Sequence, residues 1–157
     1  MSSSHEPWSA ERAREIIEAC RRLDGAALPI LHALQQAFGC VPDEAVPLVA
    51  DTLNLTRAEV HGIVTFYHDF RRKPPGRHVL RLCRAEACQS MGGDALAEAV
   101  QRRLGARFGE TSRDGAVTIE PVYCLGLCAC APAAMLDGKP MGRTTGEKIE
   151  KLLGAER

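Results

Sequence analysis

Four of the chain's seven cysteines form two pairs in two short segments, Cys83 and Cys88 in LCRAEACQSMGG, then Cys124 and Cys128 in YCLGLCACAP, which also holds Cys130. Each segment follows an apolar, β-prone run, HVLRL before the first and AVTIEPVY before the second. The thirty-five residues between Cys88 and Cys124 leave room for a helix and a return strand. A chain built this way presents two thiolate pairs on neighbouring loops, which is the donor set of a metal centre. The rest of the sequence is best read by how it serves those loops.

Other uses of the cysteines are weaker. The segment MSSSHEPWSAERAR lacks the apolar run of a secretory leader. Charged residues interrupt every apolar stretch, so no membrane insertion is expected. A cytoplasmic location follows as the expectation, and an odd number of cysteines in a reducing compartment argues against a disulfide framework. Twenty basic and twenty acidic residues give a formal net charge of zero, which supplies no global attraction to nucleic acid. Aromatic residues make up only 4%, so the core must be built mostly from Leu, Val, Ile and Ala.

Ahead of the cysteines the pattern is helical. Ser9 precedes a run in which Ile16, Ile17, Cys20 and Leu23 share a face, and Asp24-Gly25 stops it. A second helix follows Pro29, with Ile30, Leu31, Leu34 and Phe38 as its stripe and Gly39 at its end. Asp43 is expected to cap a third, through Val46, Val49, Ala50 and Leu53. Thr56 and Glu59 form a capping box for a fourth, running through Val60, Ile63 and Val64 into Phe66 and Tyr67. Phe66, Tyr67 and Phe70 are read as packing residues. The segment RRKPPGR then breaks the periodicity.

Beyond it the spacing predicts a strand over 78–82, a helix over 94–104, a short strand over 107–110 and a strand over 117–122. A hairpin of 133–136 and 139–143 follows around Asp137-Gly138, and Thr144 or Thr145 caps a last helix to Leu153. The predicted division is a disordered stretch 1–8, a helical module 9–72, a linker 73–77 and a second domain 78–157. The predicted class is α/β (α+β): a four-helix module, then a small mixed sheet with helices packed on it.

Zinc and iron–sulfur clusters both take four thiolates. Structural zinc favours tight knuckles, whereas the spacings here are C-x4-C and C-x3-C. Wider loops suit a [2Fe–2S] cluster, in which each of two irons takes two thiolates. Ala85, Ala87, Gly126 and Ala129 leave room for backbone N–H groups to approach sulfur, one means of setting a cluster's potential. A zinc-stabilised interaction module stays open at this point. A thiol-redox enzyme is the third class, although the C-x-x-C of redox dithiols is absent. Cys130 offers a substitute ligand but is read as a non-ligand, and Cys20 and Cys40 as small buried hydrophobes. His61, His68 and His78 stand at no metal spacing to a cysteine. Without a phosphate loop, zincin motif or nucleophile elbow, no catalytic residue is predicted on this chain.

The cysteine pattern, the helices before it and the GIVTFY run (Gly62–Tyr67) resemble the 24-kilodalton-type subunit of respiratory complex I. These are thioredoxin-like [2Fe–2S] ferredoxins with an N-terminal helical extension, and the resemblance spans residues 10–153. It implies one [2Fe–2S] cluster, with Cys83 and Cys88 on one iron and Cys124 and Cys128 on the other. It also puts Ala131-Pro132 where thioredoxin-like folds often place a cis-proline. The first loop of the complex I subunit usually reads C-x-G-T-A-C, whereas here it reads Cys83-Arg-Ala-Glu-Ala-Cys88-Gln-Ser-Met-Gly. That version looks like the gamma subunit of soluble NAD-dependent, molybdenum-containing formate dehydrogenases, with the diaphorase subunit of NAD-reducing hydrogenases next. The resemblance then implies a non-catalytic electron-transfer subunit. Its partners would be a flavin-bearing beta subunit, with FMN and NAD, and through it an alpha subunit carrying the molybdenum cofactor. Further iron–sulfur clusters would lie on those partners. Arg84 and Glu86 either tune the potential, Arg84→Ala lowering it and Glu86→Ala raising it, or point away from the centre and serve packing of the loop.

Overall fold

The computed structural model describes residues 5–155. Half of the stretch expected to be disordered, residues 1–4, lies outside it, as do 156 and 157. The chain divides into two compact units between Pro75 and Gly76.

The first unit holds α1 (Ala10–Cys20), α2 (Ala27–Phe38), α3 (Ala45–Leu53) and α4 (Arg57–Phe66). Their apolar stripes close on one core in which Ile17, Ile30, Leu31, Leu34, Val49 and Val60 are almost fully buried. Ser9 caps α1 through its side chain. The Thr56–Glu59 capping box forms in full, with the Glu59 N–H donating to Thr56 Oγ1 at 3.2 Å and the Thr56 N–H to Glu59 Oε2 at 2.8 Å. Residues 5–8 have no regular element yet are held: the Glu6 N–H donates to the Ala37 carbonyl at 2.9 Å. The Trp8 ring packs edge-on against Phe38, with centroids 5.0 Å apart.

Four expectations change here. First, α1 ends at Cys20, before Asp24-Gly25, and Leu23 is exposed because the chain has already turned. Second, α2 begins at Ala27, so Pro29 sits in its first turn, where its missing N–H costs no helical bond. Third, Asp43 does not cap α3: its carboxylate binds Arg72, and the cap position falls to Glu44, which makes no side-chain cap bond. Fourth, of the three aromatics read as packing residues only Phe70 is buried. Phe66 is 73% exposed and Tyr67 43%. The last turn of α4 outruns the core, and these rings meet edge to face instead, Phe66 with Tyr67 at 5.1 Å and Tyr67 with Phe70 at 6.2 Å between centroids.

The second unit is an α/β layer built on β1 (His78–Cys83), β2 (Val117–Val122), β3 (Ala134–Leu136) and β4 (Lys139–Met141), in the order β2-β1-β3-β4. The central strand β1 runs parallel to β2 and antiparallel to β3. A parallel pair needs a long crossover, supplied by α5 (Glu86–Ser90) and α6 (Gly93–Leu104). Leu80, Leu82 and Ile119 from the sheet meet Ala97 and Val100 of α6 and Ile149 of α7 (Gly146–Ala155) in the core. Cross-strand partners Arg81 and Glu120 pair at 2.9 Å. His78 Nδ1 lies 2.7 Å from Asp137 Oδ2, tying the β3–β4 turn to the start of β1.

Residues 107–110 are not a strand. Glu110 Oε2 accepts the Arg107 N–H at 2.8 Å and closes a turn, and the segment meets β2 through an isolated bridge from Thr111 to Thr118 and a few flanking backbone bonds, such as the Gly109 N–H to the Ile119 carbonyl at 2.7 Å. Of the two candidate threonines, Thr145 caps α7 by accepting the Lys148 N–H at 3.2 Å. The Ala131–Pro132 bond is cis. Among the described residues, no helix is long and apolar enough to cross a membrane.

Candidate metal centre

Because β1 and β2 are parallel and in register, with Cys83 opposite Val122, both chains leave the sheet at the same edge. Cys83 closes β1, and Cys124 stands two residues beyond the end of β2. The carboxyl ends of parallel strands are where open α/β sheets place their ligands. Local bonds fix the departure: the Cys83 N–H donates to the Ala133 carbonyl at 3.0 Å and the Arg84 N–H to the Val122 carbonyl at 2.7 Å.

The first segment is not an open loop. It closes into α5, which carries Cys88 on its buried side. Cys83 is 4% exposed and Cys88 1%. The second segment makes a tight turn in which Cys124 takes φ +118° and Gly126 +75°, then a single 3-10 turn over Cys128–Cys130. Positive φ at a non-glycine residue is a strained conformation of the kind concentrated at functional sites. Cys124 and Cys128 are exposed, so the two pairs differ sharply in burial.

The sulfurs are embedded in donors. Burial pushes the Cys83 thiol up, but the N–H groups of Ala85, Leu125 and Cys124 and the Cys88 thiol together hold it below its ordinary value. Two of those donors belong to the second segment, so the two pairs lie side by side. Burial and the neighbouring Cys83 push Cys88 up, against the opposing Ala133 N–H. Cys128 is also raised, first by its contact with Cys124. The Cys124 and Cys128 sulfurs are 3.8 Å apart, and the Gly126 N–H donates to Cys124 Sγ at 3.3 Å. Two thiolates at ~2.3 Å from one tetrahedral metal stand about 3.8 Å from each other, so this pair is already at ligating separation. Among the described residues, no three His, Cys, Asp or Glu side chains gather as a single-ion site.

The other cysteines have surroundings of their own. The Cys130 carbonyl accepts the Arg143 N–H, and its Cβ lies against Gly142, where an added Cβ would come within 2.5 Å. Cys20 and Cys40 belong to the helical unit, and burial raises the Cys40 thiol. Of the two residues expected to tune a potential, Glu86 is exposed at the start of α5. Arg84 binds Asp94 Oδ1 at 3.1 Å and lies over the Phe108 ring, 5.5 Å from its centroid. Sequence reasoning missed that pairing and the contact of Gly93 with Cys88. The doubled Gly92-Gly93 was the available signal for the latter.

A family model described as thioredoxin-like [2Fe–2S] ferredoxin matches residues 13–157. The chain belongs to that family. Its fold is therefore thioredoxin-like, and its cofactor is one [2Fe–2S] cluster rather than zinc. Two neighbouring thiolate pairs, with Cys124 and Cys128 at the spacing of one iron and N–H donors directed at the sulfurs, fit that group. The chain is 37% identical over 130 residues to a subunit of the NADH-quinone oxidoreductase of Pseudomonas aeruginosa, covering 83% of this chain and 78% of that one. It is 32% identical over 139 residues to the HndA subunit of the NADP-reducing hydrogenase of Solidesulfovibrio fructosivorans, covering 88% and 81%. A crystal structure of an NAD+-reducing [NiFe]-hydrogenase in the H2-reduced state superposes with TM-score 0.66 at 27% identity. The match covers 79% of this chain and 21% of that chain, so this protein spans about a fifth of the hydrogenase chain. These relatives are named subunits of oxidoreductases, and this chain is similar to them along most of its length.

Proposed function

We propose that Cys83 and Cys88 bind one iron and Cys124 and Cys128 the other, and that the chain is a one-electron subunit of an NAD-linked oxidoreductase. When bound, the cluster supplies a site that accepts and releases single electrons. The observation that carries the reading is the meeting of two thiolate pairs at the shared end of β1 and β2, one pair buried and one exposed. The buried pair keeps water from one side of the centre. Cys124, Gly126 and Cys128 present the other side to a partner.

The partner in this reading is a flavin-bearing beta subunit, whose FMN exchanges single electrons with this chain and reduces NAD. The loop Cys83-Arg-Ala-Glu-Ala-Cys88 supports a place in a cytoplasmic formate dehydrogenase, where formate becomes CO2 at the molybdenum cofactor of an alpha subunit and NAD becomes NADH. The division into a helical module 9–72, linker 73–77 and cluster domain 78–157 belongs to the same reading. A second reading, a diaphorase subunit of a hydrogenase or of complex I, is favoured by the relatives at 37% and 32% identity.

A visible spectrum with iron and sulfide analysis tests the cluster: two irons and two sulfides per chain are expected. A colourless protein after reconstitution with iron and sulfide would end the proposal. Purification from the native host, with the accompanying subunits identified by mass, separates the complexes. A molybdenum-bearing subunit supports formate dehydrogenase, and a nickel-bearing or membrane-embedded set replaces it.

A further inference from the structure

We infer that Arg84 is a positioning residue: with Asp94 and Phe108 it latches the first cysteine segment onto α6 and thereby holds Cys88 in place. The inference rests on the reading that Cys83 and Cys88 are cluster ligands. Arg84 directly follows Cys83, and four contacts leave it in four directions. Its N–H donates to the Val122 carbonyl at 2.7 Å, and its carbonyl accepts Gln89 Nε2 at 3.0 Å. Its guanidinium binds Asp94 in the first turn of α6 at 3.1 Å and covers the Phe108 ring. The residue therefore joins the end of β2, the helix carrying Cys88, the start of α6 and the turn after it.

The same contacts alter the tuning role expected for this side chain. A guanidinium neutralised by a carboxylate presents little net charge to a centre nearby. Asp94 is 54% exposed at its side chain, so solvent screens its own field. What the pair retains is geometry. Lysine would keep the charge but not the planar stack on Phe108 together with the carboxylate contact. If the latch opens, α5 is freed against α6, and Cys88 shifts relative to the Ala133 N–H, which favours its thiolate. Loss of an N–H donor to a ligand sulfur disfavours the more negative, reduced state.

The test uses the full chain carrying its cluster, as wild type, R84Q, R84K, D94N and the R84Q/D94N double variant. Release of the cluster to excess chelator is followed by loss of visible absorbance, the midpoint potential by dye-mediated titration, and the melting of the cluster-free chain by circular dichroism. R84Q and D94N are each expected to speed release about three- to fivefold, the range for one partly exposed pair with a stacked cation. R84K does not rescue, and the double variant releases no faster than R84Q. Both single variants lower the potential. The inference is overturned if D94N raises the potential while R84Q lowers it, since that pattern is charge tuning. It is equally overturned if release is unchanged, or quickens only as far as the cluster-free chain loses stability. A wild-type chain that takes up no cluster, or a C88S spectrum identical to wild type, instead removes the ligand reading, and this inference with it.

Discussion

Gly93→Ala is the sharpest perturbation available near the cysteines. Gly93 opens α6, and an added Cβ would lie 2.6 Å from the Cys88 carbonyl oxygen and 2.9 Å from its carbon. Ordinary contact begins at 3.4 Å, so relief requires a separation of 3.4 − 2.6 = 0.8 Å. Both sides of the contact are backbone at the junction of α5 and α6, and neither is a flexible side-chain end. Overpacking of this kind costs about 1–3 kcal/mol. The helical preference of alanine over glycine returns less than ~1 kcal/mol, because the site is in the first turn rather than the interior. A net loss of about 1–2 kcal/mol lowers the melting temperature of a unit this size by about 5–15 °C. Gly92→Ala is the control: Gly92 sits at φ +86° with nothing within 4 Å of its added Cβ, so it loses backbone freedom without pushing on Cys88. The assay is thermal melting of the cluster-free chain, paired with cluster release to a chelator. Both should worsen in G93A, and release should worsen more than in G92A. A G93A chain that melts at or above wild type and keeps its cluster as firmly would refute the packing argument.

Cys88→Ala should abolish the visible absorbance of the reconstituted chain, while Cys130→Ala should leave it intact, read by the spectrum and by iron content. Gly126→Ala places a Cβ in open space but at φ +75°, so a cost of about 1 kcal/mol is expected from conformation alone, measured by denaturant midpoint. Thr56→Ala removes the side-chain half of the α4 capping box while its backbone N–H can still donate to Glu59, and should cost about 1 kcal/mol in the same assay. Glu59 is held below the usual carboxylate range by the backbone and then the side chain of Thr56. Its contribution is therefore full above the ordinary glutamate value of about 4.3 and fades as pH falls through the lower folded value. The melting temperature of wild type minus that of Glu59→Gln should shrink across that acid window and stay flat above it.

Much of the second unit was legible because period-2 runs next to glycine pairs leave few alternatives. The strands flanking the cysteines, the helix between them and the Asp137-Gly138 turn all come from local pattern. The predicted strand over 107–110 failed because a side chain, Glu110, closed a turn that propensity alone does not register. Asp43 had the chemistry of a cap, but Arg72, far along the chain, competed for the carboxylate. Phe66 and Tyr67 continued an apolar stripe past the point where the core had ended, which periodicity cannot detect. At the candidate site, residue types and spacing singled out Cys83, Cys88, Cys124 and Cys128, which the structure carries at the shared end of β1 and β2. Sequence did not reveal that one pair would be buried and the other exposed, because that depends on which side α6 covers.

The crossover that makes β1 and β2 parallel also explains this inequality. A parallel pair must be joined by a chain long enough to return to the starting edge, and that chain begins at the cysteine end of β1. The first pair is therefore covered by its own crossover: α5 carries Cys88, α6 abuts it at Gly93, and Asp94 holds Arg84 beside it. The second pair lies after β2, where the chain turns back to β3 through a segment from Pro121 to Leu136 that contains no charged residue. Nothing of the crossover is left to cover it, so Cys124 and Cys128 stay exposed, and Tyr123 beside them is 76% exposed. Topology thus assigns unequal tasks to the two pairs. Substitutions around the first should register as stability and cluster retention, whereas substitutions around the second should register as accessibility to a redox partner.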